Sequence, residues 1–210
     1  LFRYFTKKLI FTFSMNNNLN STKLCILAAG TGSRLGYLSE SLGKALLPVG
    51  NTTALSTIIN KFPKDIEIIL ALGYKSELVE SYCKAVHQDR NITFVYIDNF
   101  DKPGSGPGYS LLQCKPYLGI NKFYLSTVDC LFEEDLPQLD CDWIGTSKTD
   151  NPKLYSTAQI DGKNNILKFI NKNPDGFENA FIGIAYIHTP DVFWSSINKY
   201  KSSENEVEFV

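Results

Sequence analysis

Residues 23–49 read KLCILAAGTGSRLGYLSESLGKALLPV. The run at 24–29 is apolar throughout, with the length and composition typical of a strand that is buried on both faces. It leads directly into Gly30-Thr31-Gly32-Ser33-Arg34, where glycine lets the backbone adopt positive φ and bring its N–H groups close to a ligand. Successive N–H groups in such a turn form a concave anion site. A glycine-rich turn after a buried strand therefore predicts a site for an anion.

Two cations accompany this turn. Arg34 closes it, and Lys44 follows ten positions later at the start of a second apolar run, residues 45–49. A helix that begins after the turn would add the partial positive charge of its N-terminus. No Asp or Glu precedes Glu40, whereas several basic residues do. The local excess of positive charge indicates that the anion is a polyphosphate.

Neither of two common phosphate-binding motifs fits the stretch. A dinucleotide-binding turn reads G-x-G-x-x-G with an acidic residue about 20 positions on. Here the third glycine, Gly36, comes one position too late, and the next acidic residues are Glu40 and Asp65. A Walker loop ends in Gly-Lys-Ser/Thr, whereas Gly43-Lys44-Ala45 stands here. A glycine turn without a ligand is the remaining alternative, and the two cations argue against it.

The sequence LAAGTGSRLG, followed by GKALLPVGN, resembles the opening of the sugar-phosphate nucleotidyltransferases and of the related cytidylyl- and MobA-like guanylyltransferases. Their pattern is L-A-A-G-x-G-[ST]-R-[LM] and then P-K-x-L-L-P-V. The first half matches throughout, and Gly43 stands where the family usually has proline. The resemblance implies an α/β fold, namely a three-layer Rossmann-like (GT-A-like) domain with a mainly parallel sheet and a small antiparallel insertion.

The resemblance also implies an activity and a cofactor. The expected reaction moves an NMP from an NTP to a phosphorylated acceptor, a sugar 1-phosphate or similar, with release of pyrophosphate and with Mg²⁺ as cofactor. By resemblance Arg34 and Lys44 are catalytic: Arg34 holds the departing phosphates, and Lys44 neutralises the α-phosphate and the incoming phosphate. The nucleotide-binding residues implied in this stretch are Ala28, Ala29, Gly30, Thr31, Gly32, Ser33 and Arg34.

A second glycine-rich segment, residues 99–110, reads NFDKPGSGPGYS. With three glycines and two prolines between 103 and 108 it cannot form regular structure, so it is predicted to be a shaped loop before a helix that starts near Tyr109. By itself it could equally be a plain surface turn. The family has a loop here that contacts the nucleotide base. The positions that the resemblance implies are Ser105, Gly106, Gly108 and Ser110.

Asp129 follows an apolar strand predicted at 122–128. A carboxylate at the carboxyl end of a central strand lies where open α/β sheets bind their ligands. The family places a metal-binding aspartate here, usually after a glycine that Val128 replaces. Mg²⁺ takes hard oxygen ligands, commonly one or two carboxylates with substrate phosphates. Asp129 is therefore expected to bind the metal, the alternative being that it only caps the next turn.

The acceptor site is expected in the last third of the chain. A hairpin is predicted over 156–170, because Asp161-Gly162 between β-like runs is a strong turn signal. By resemblance, Lys172 contacts the acceptor phosphate, although Asn171 stands where the family has Glu. The strand NAFIGIAYI resembles the family's N-A-G-I-Y strand and makes Gly183 the second acceptor-binding candidate.

Length and composition suit one α/β domain. The 210 residues are 43% hydrophobic and 20% charged, as in ordinary globular chains. Residues 1–20, basic and aromatic before a polar linker, are expected to be a disordered leader or upstream extension, and 21–210 the nucleotidyltransferase domain. That domain is expected to be truncated, since the family's second metal-binding aspartate does not appear before Val210. The late carboxylates, read as a solvated tail, are Glu204, Glu206 and Glu208.

Charge and cysteine usage restrict the partners and the compartment. A net charge of −1 argues against a general nucleic-acid or anionic-membrane binder. The five cysteines form no C-x-x-C pair, which suits free buried thiols in a reducing, cytoplasmic compartment. No apolar run reaches the roughly 18 residues that a membrane helix needs. The expected partners are an NTP and a phosphorylated small molecule, with homo-oligomerisation left open.

Three alternatives stay open at this point. A guanylyltransferase for a molybdenum-cofactor precursor or a cytidylyltransferase for phosphocholine or a phosphonate would use the same opening stretch. A catalytically silent regulatory module that only binds nucleotide is a different class. Gly43 and Val128 favour the silent module to some degree, whereas retention of Arg34, Lys44 and Asp129 together argues against it.

Overall fold

The computed structural model describes residues 22–137 and 139–199, with the side chains of Arg34, Asn198 and Lys199 outside the description. The predicted leader, residues 1–20, and the late carboxylates at 204, 206 and 208 lie outside the described residues.

The described chain alternates strands and helices up to residue 127 and is rich in antiparallel strands after it. The strands are β1 Lys23–Ala28, β2 Pro48–Val49, β3 Thr52–Thr53, β4 Glu67–Leu72, β5 Ile92–Tyr96, β6 Phe123–Thr127, β7 Trp143–Lys148, β8 Thr157–Ile160, β9 Ile166–Ile170 and β10 Asn179–Ile187. The helices are α1 Tyr37–Leu42, α2 Ala54–Ile59, α3 Ser76–Val86, α4 Pro107–Leu118 and α5 Pro190–Lys199.

The main sheet has the order β5-β4-β1-β6-β10-β8-β9, with β7 also paired to β10. Its first four strands are parallel, because β1 pairs with β4 on one side and with β6 on the other, and β4 pairs with β5. β10 joins antiparallel to β6, with Ile184 opposite Ser126. The chain thus builds outward from β1 in one direction and then crosses back to add β6 on the other side.

Strand β1 is buried on both faces, as its apolar run predicts. Leu24 and Ile26 pack in one core with residues of α2 and α3, and Cys25 and Leu27 pack in the other with residues of α4 and α5. Helices therefore cover both faces of the sheet. The predicted three-layer α/β architecture with a mainly parallel sheet is confirmed.

The antiparallel part lies beyond the carboxyl end of β6. β10 pairs with β7 and β8, and β8 pairs with β9 in the predicted hairpin. In the turn of this hairpin, Asn164 (φ 66°) takes the left-handed conformation. The Asp161 carboxylate supports the turn, because its Oδ1 accepts from the N–H groups of Lys163 and Asn165 at 2.8 Å each.

The described part of the chain shows how its cysteines are buried and how long and apolar its helices are. Cys25, Cys83, Cys114 and Cys130 are buried thiols as expected, whereas Cys141 is exposed. No helix among the described residues has the length and apolarity to cross a membrane.

Gly145 in β7 is predicted to be required for the packing of β10. A Cβ at this position would lie 2.5 Å from Ile184 Cγ2 and 3.1 Å from Ile182 Cδ1. We expect Gly145→Ala to lower the free energy of unfolding by about 1–3 kcal/mol, the usual cost of overpacking. The control is Gly162→Ala, since a Cβ there meets nothing within 4 Å. Urea unfolding of both variants measures the difference, and equal stabilities would contradict the packing described for β10.

Candidate active site

The carboxyl ends of the four parallel strands meet at one edge of the sheet, and the segments that follow them form the candidate site. β1 leads into the glycine loop, which we define as residues 29–36, and β4 leads into Gly73-Tyr74-Lys75. β5 leads into the loop at 97–106, and β6 leads into Asp129. Since the chain builds away from β1 in both directions, β1 and β6 flank the topological switch point where open α/β sheets bind ligands.

The glycine loop contains backbone N–H groups that have no acceptor among the described residues. Gly32 takes the left-handed conformation (φ 70°, ψ 30°), and the N–H of Leu35 donates to its carbonyl at 2.8 Å, closing a single 3-10 turn at Ser33–Leu35. Within the described part of the chain, no acceptor pairs with the N–H groups of Thr31, Gly32 or Ser33. Adjacent amides without an internal acceptor are available to form an anion site.

The helix that follows this loop is short. α1 spans only six residues, Tyr37–Leu42, and is separated from the loop by the 3-10 turn. A helix dipole of this length adds little, so the positive potential of the loop comes from its amides and the neighbouring cations. The backbone of Arg34 lies in the 3-10 turn, and its side chain is outside the description.

Lys44 lies directly against the glycine loop. The position that a Cβ of Gly32 would take is 3.1 Å from Lys44 Cβ, so a side chain on Gly32 would push the lysine away. Gly43, just before it, has φ 71° and ψ 157°. Proline is locked near φ −65°. The family's Pro-Lys pattern therefore does not fit this backbone, because the positive φ at Gly43 excludes proline. Lys44 nevertheless lies beside the glycine loop.

The Lys44 ammonium forms an ion pair with Asp129 across the switch point. Lys44 Nζ lies 2.6 Å from Asp129 Oδ2, with side chains 22% and 46% exposed. Asp129 stands in a tight turn closed by the N–H of Cys130, which donates to Thr127 O at 3.0 Å. The N–H of Val128 donates to Leu27 O at 3.1 Å and ties this turn to β1. The structure thus brings Lys44 and Asp129 together beside Gly32.

The surroundings of Asp129 set its protonation state. Partial desolvation raises the pKa of the Asp129 carboxyl. The Lys44 charge, the hydrogen bond from Lys44 and hydrogen bonding with Thr127 together lower it by a larger amount, so the pKa lies below its usual value. The carboxylate is therefore ionised at neutral pH. Burial and the Asp129 charge raise the pKa of the adjacent Cys130 thiol to about 12, which keeps it neutral.

The donor set at this position fits a divalent ion only in part. Asp129 supplies one hard carboxylate that is 46% exposed at the ligand-binding edge. Among residues 22–137 and 139–199, no group of three or more His, Cys, Asp or Glu side chains is placed to hold a metal. A magnesium ion bound here would take its remaining ligands from substrate phosphates and water, as is common for Mg²⁺.

The second predicted nucleotide loop joins the glycine loop at its base. A Cβ on Gly73 would lie 2.6 Å from Ala29 O and 2.8 Å from Phe100 Cγ, so the loops after β1, β4 and β5 touch there. The predicted residues divide into two pairs. Ser105 and Gly106 are half-buried just before α4, whereas Gly108 and Ser110 are buried in its first turn. Ser110 Oγ donates to Gly106 O at 3.3 Å, so it supports the loop from inside.

Ala28 and Ala29 are buried, 4% exposed each, and so contribute core packing and backbone groups. The N–H of Tyr74 donates to Ala29 O at 2.9 Å. Gly30, in contrast, is exposed and open to a ligand.

The two acceptor candidates lie on the antiparallel part. Gly183 (φ 95°) is buried in the β10 irregularity, and its Cβ would lie 2.1 Å from Thr127 Oγ1 and 3.4 Å from Cys130 Cβ. It therefore packs under the turn that carries Asp129. Lys172 is exposed, takes φ 36°, and its N–H donates to Tyr155 O at 3.1 Å. An acceptor contact by either residue stays a prediction.

Sequence reasoning missed three residues at this edge. Ser39 is buried against Gly32, and Lys75 adopts a left-handed φ of 56° next to Gly43, an uncommon conformation found at functional loops. The Oδ1 atom of Asn99 is buried and has no partner among the described residues. No residue pattern reveals these three, because each depends on the tertiary placement of a neighbouring loop.

Comparison with known proteins decides the family. A family model of the MobA-like NTP transferase domain matches residues 24–148. The chain belongs to this family. The matched residues begin in β1 and include the glycine loop, Lys44 and Asp129, so the predicted relationship to the NTP transferases is confirmed on the residues that carry it.

Several relatives resemble this NTP transferase domain over most of its length. Bifunctional protein GlmU of Methanococcus aeolicus is 32% identical over 188 residues, which cover 87% of this chain and 44% of that protein. D-glycero-alpha-D-manno-heptose 1-phosphate guanylyltransferase of Campylobacter jejuni is 24% identical, over 80% of this chain and 76% of that protein. The chain spans less than half the length of the GlmU relatives that it matches.

A solved structure shows the same fold. CTP:phosphocholine cytidylyltransferase from Streptococcus pneumoniae superposes with a TM-score of 0.69 at 21% identity, over 86% of this chain and 76% of that one. This likeness concerns the fold of the NTP transferase domain and not its substrate.

Replacing Lys44 is predicted to raise the pKa of Asp129. In Lys44→Ala the desolvation of the carboxyl stays while its ion-pair and hydrogen-bond partner is lost. In the wild-type protein the folded-state pKa of Asp129 lies below its usual value, so the pair stabilises the fold above the unfolded-state pKa. This stabilisation is lost as pH falls through the folded-state pKa. A ¹³C NMR titration of the Asp129 carboxyl measures the change.

The control for this titration is Lys64→Ala. Lys64 forms an ion pair of the same 2.6 Å length with Asp89, away from the site. The pKa of Asp129 should not move in that variant. An unchanged pKa in Lys44→Ala would contradict the electrostatic role given to the pair.

Proposed function

We propose that the protein transfers an NMP from an NTP to a phosphorylated acceptor, with a sugar 1-phosphate as the favoured class, and releases pyrophosphate. The observation that carries the proposal is the convergence of the amides of the glycine loop, Lys44 and Asp129 at the switch point. Membership of the NTP transferase family and a relative named as a heptose 1-phosphate guanylyltransferase support it.

The proposed chemistry is an in-line displacement at the α-phosphorus. An acceptor phosphate oxygen forms the new O–P bond, the bond from the α-phosphorus to the bridging oxygen breaks, and pyrophosphate leaves with the electron pair. No covalent intermediate on the protein is needed, so the protein contributes positioning and neutralisation of charge. The acceptor is already ionised at neutral pH, so no general base has to remove a proton from it.

Residues of this chain take distinct parts in the proposal. The amides at 31–33 bind the departing β- and γ-phosphates, and Arg34 assists them by resemblance to the family. Lys44, whose ammonium can exchange the Asp129 carboxylate for a phosphate oxygen, neutralises the α-phosphate and the attacking group. Asp129 would hold a magnesium ion, which would supply neutralisation of the negative charge on the triphosphate.

The base and the acceptor are assigned to the remaining loops. Ser105 and Gly106, at the accessible part of the second loop, are proposed to contact the base through backbone groups. Lys172 is proposed to contact the acceptor phosphate, and Gly183 to serve that site by packing under the Asp129 turn. The buried free thiols are compatible with a cytoplasmic location, which is part of the proposal.

A second candidate concerns the nucleotide. The matching family model describes a MobA-like NTP transferase domain, and one relative is named as a guanylyltransferase. GTP is therefore the first nucleotide to be tested within the same reaction class. A module that binds nucleotide without turnover is the competing function.

The proposal predicts release of pyrophosphate when the protein is incubated with Mg²⁺, an NTP and an acceptor. Each NTP is tested in turn against a panel of sugar 1-phosphates and phosphocholine. Lys44→Ala should lower the rate by about 10²–10³, the scale of losing one preorganised charge at the reacting phosphate. Lys64→Ala, which disrupts an equally short ion pair elsewhere, should keep the wild-type rate.

The outcomes separate the two functions. Binding of an NTP without pyrophosphate release by any pair would favour the silent module. Wild-type rates in Lys44→Ala would remove the lysine from the mechanism.

A further inference from the structure

Helix α1 buries a single residue, and that residue is polar. Of its six residues, all described, only Ser39 is buried, at 4% exposure. The apolar side chains Tyr37, Leu38 and Leu42 are 77%, 50% and 42% exposed. Apolar burial therefore does not hold this helix in place, and the contacts of Ser39 become important for its position.

The Ser39 hydroxyl reaches two carbonyls of the glycine loop. Its Oγ lies 3.1 Å from both Gly32 O and Gly36 O, so its single proton is shared between them. Gly32 O also accepts from the N–H of Leu35 at 2.8 Å, and Gly36 O accepts from the N–H of Ser39 at 3.1 Å. A buried hydroxyl thus ties together the beginning and the end of the 3-10 turn.

These bonds orient the loop for an anion. Both carbonyls are drawn inward to Ser39, while the N–H groups at 31–33 have no acceptor among the described residues. A carbonyl oxygen turned outward would repel a phosphate, so the direction of these carbonyls decides whether the loop can bind one.

Ser39 and Lys44 both lie against Gly32. The Cβ position of Gly32 lies 3.2 Å from Ser39 Cβ and 3.1 Å from Lys44 Cβ, so serine and lysine enclose the same left-handed residue. A second bond, from Tyr74 Oη to Glu40 O at 3.2 Å, holds the outer side of α1.

We propose that Ser39 is a positioning residue for polyphosphate binding. Its hydroxyl holds Gly32 in the left-handed conformation that presents the amides at 31–33 and keeps Lys44 beside them. The inference rests on the proposed function for the identity of the ligand, whereas the arrangement of the loop does not depend on it.

The experiment compares Ser39→Ala with Ser41→Ala and Ser39→Thr. Ser41 is an exposed serine in the same helix, so its variant controls for the loss of a hydroxyl from α1. Ser39→Thr retains the donor. The probes are the dissociation constant of inorganic pyrophosphate with Mg²⁺, by calorimetry, and the hydrogen exchange rate of the Leu35 amide.

In Ser39→Ala we expect the dissociation constant of pyrophosphate to rise about fivefold to tenfold, the scale of one lost hydrogen bond. Exchange of the Leu35 amide should accelerate, because its acceptor, Gly32 O, is no longer fixed by the hydroxyl. Ser41→Ala should match the wild type in both, and Ser39→Thr should lie closer to the wild type than to Ser39→Ala.

Wild-type affinity and exchange in Ser39→Ala would overturn the inference. Equal losses in Ser39→Thr and Ser39→Ala would also overturn it, because packing rather than the hydroxyl would then hold the loop. If the wild-type protein fails to bind pyrophosphate, the proposed function fails, while the Leu35 exchange rates still decide whether Ser39 fixes the loop.

Discussion

The contact between Lys44 and Asp129, across the gap where β1 and β6 end, is the interaction on which the site depends. A surface pair with these exposures contributes little to stability. Its role is electrostatic, because it holds a cation and a carboxylate at fixed positions beside the unpaired amides of the glycine loop. Preorganised charge of this kind is what the transfer of a nucleotidyl group requires.

Two features of the fold bring these groups together: the order of the strands and the presence of glycine at two positions. Parallel pairing of β6 with β1 puts Asp129 beside the loop that follows β1, although the two are far apart in sequence. Gly32 leaves room for Lys44, and Gly43 adopts a φ that presents the lysine without the usual proline. The strand β1 that leads into this edge is buried in a core on each of its faces.

The elements that could be predicted from the sequence are those with local signals. The apolar run of β1, the glycines after it and the carboxylate after β6 each follow from residue type and position, and they locate the cleft. The rest depends on tertiary contacts. The burial of Ser39 in α1, whose apolar side chains are exposed, and the hydrogen bonds of the Asp161 carboxylate in the hairpin turn are not indicated by any residue pattern. Burial of Gly183 under Thr127 depends on an irregularity in β10 that no residue pattern indicates.

The most direct test is a crystal structure of the protein with Mg²⁺ and a non-hydrolysable NTP analogue. We expect the β- and γ-phosphates to lie against the amides at 31–33, and Lys44 Nζ to have left Asp129 Oδ2 for an α-phosphate oxygen. Phosphates bound elsewhere, with the Lys44–Asp129 ion pair intact and the glycine loop without a ligand, would contradict it.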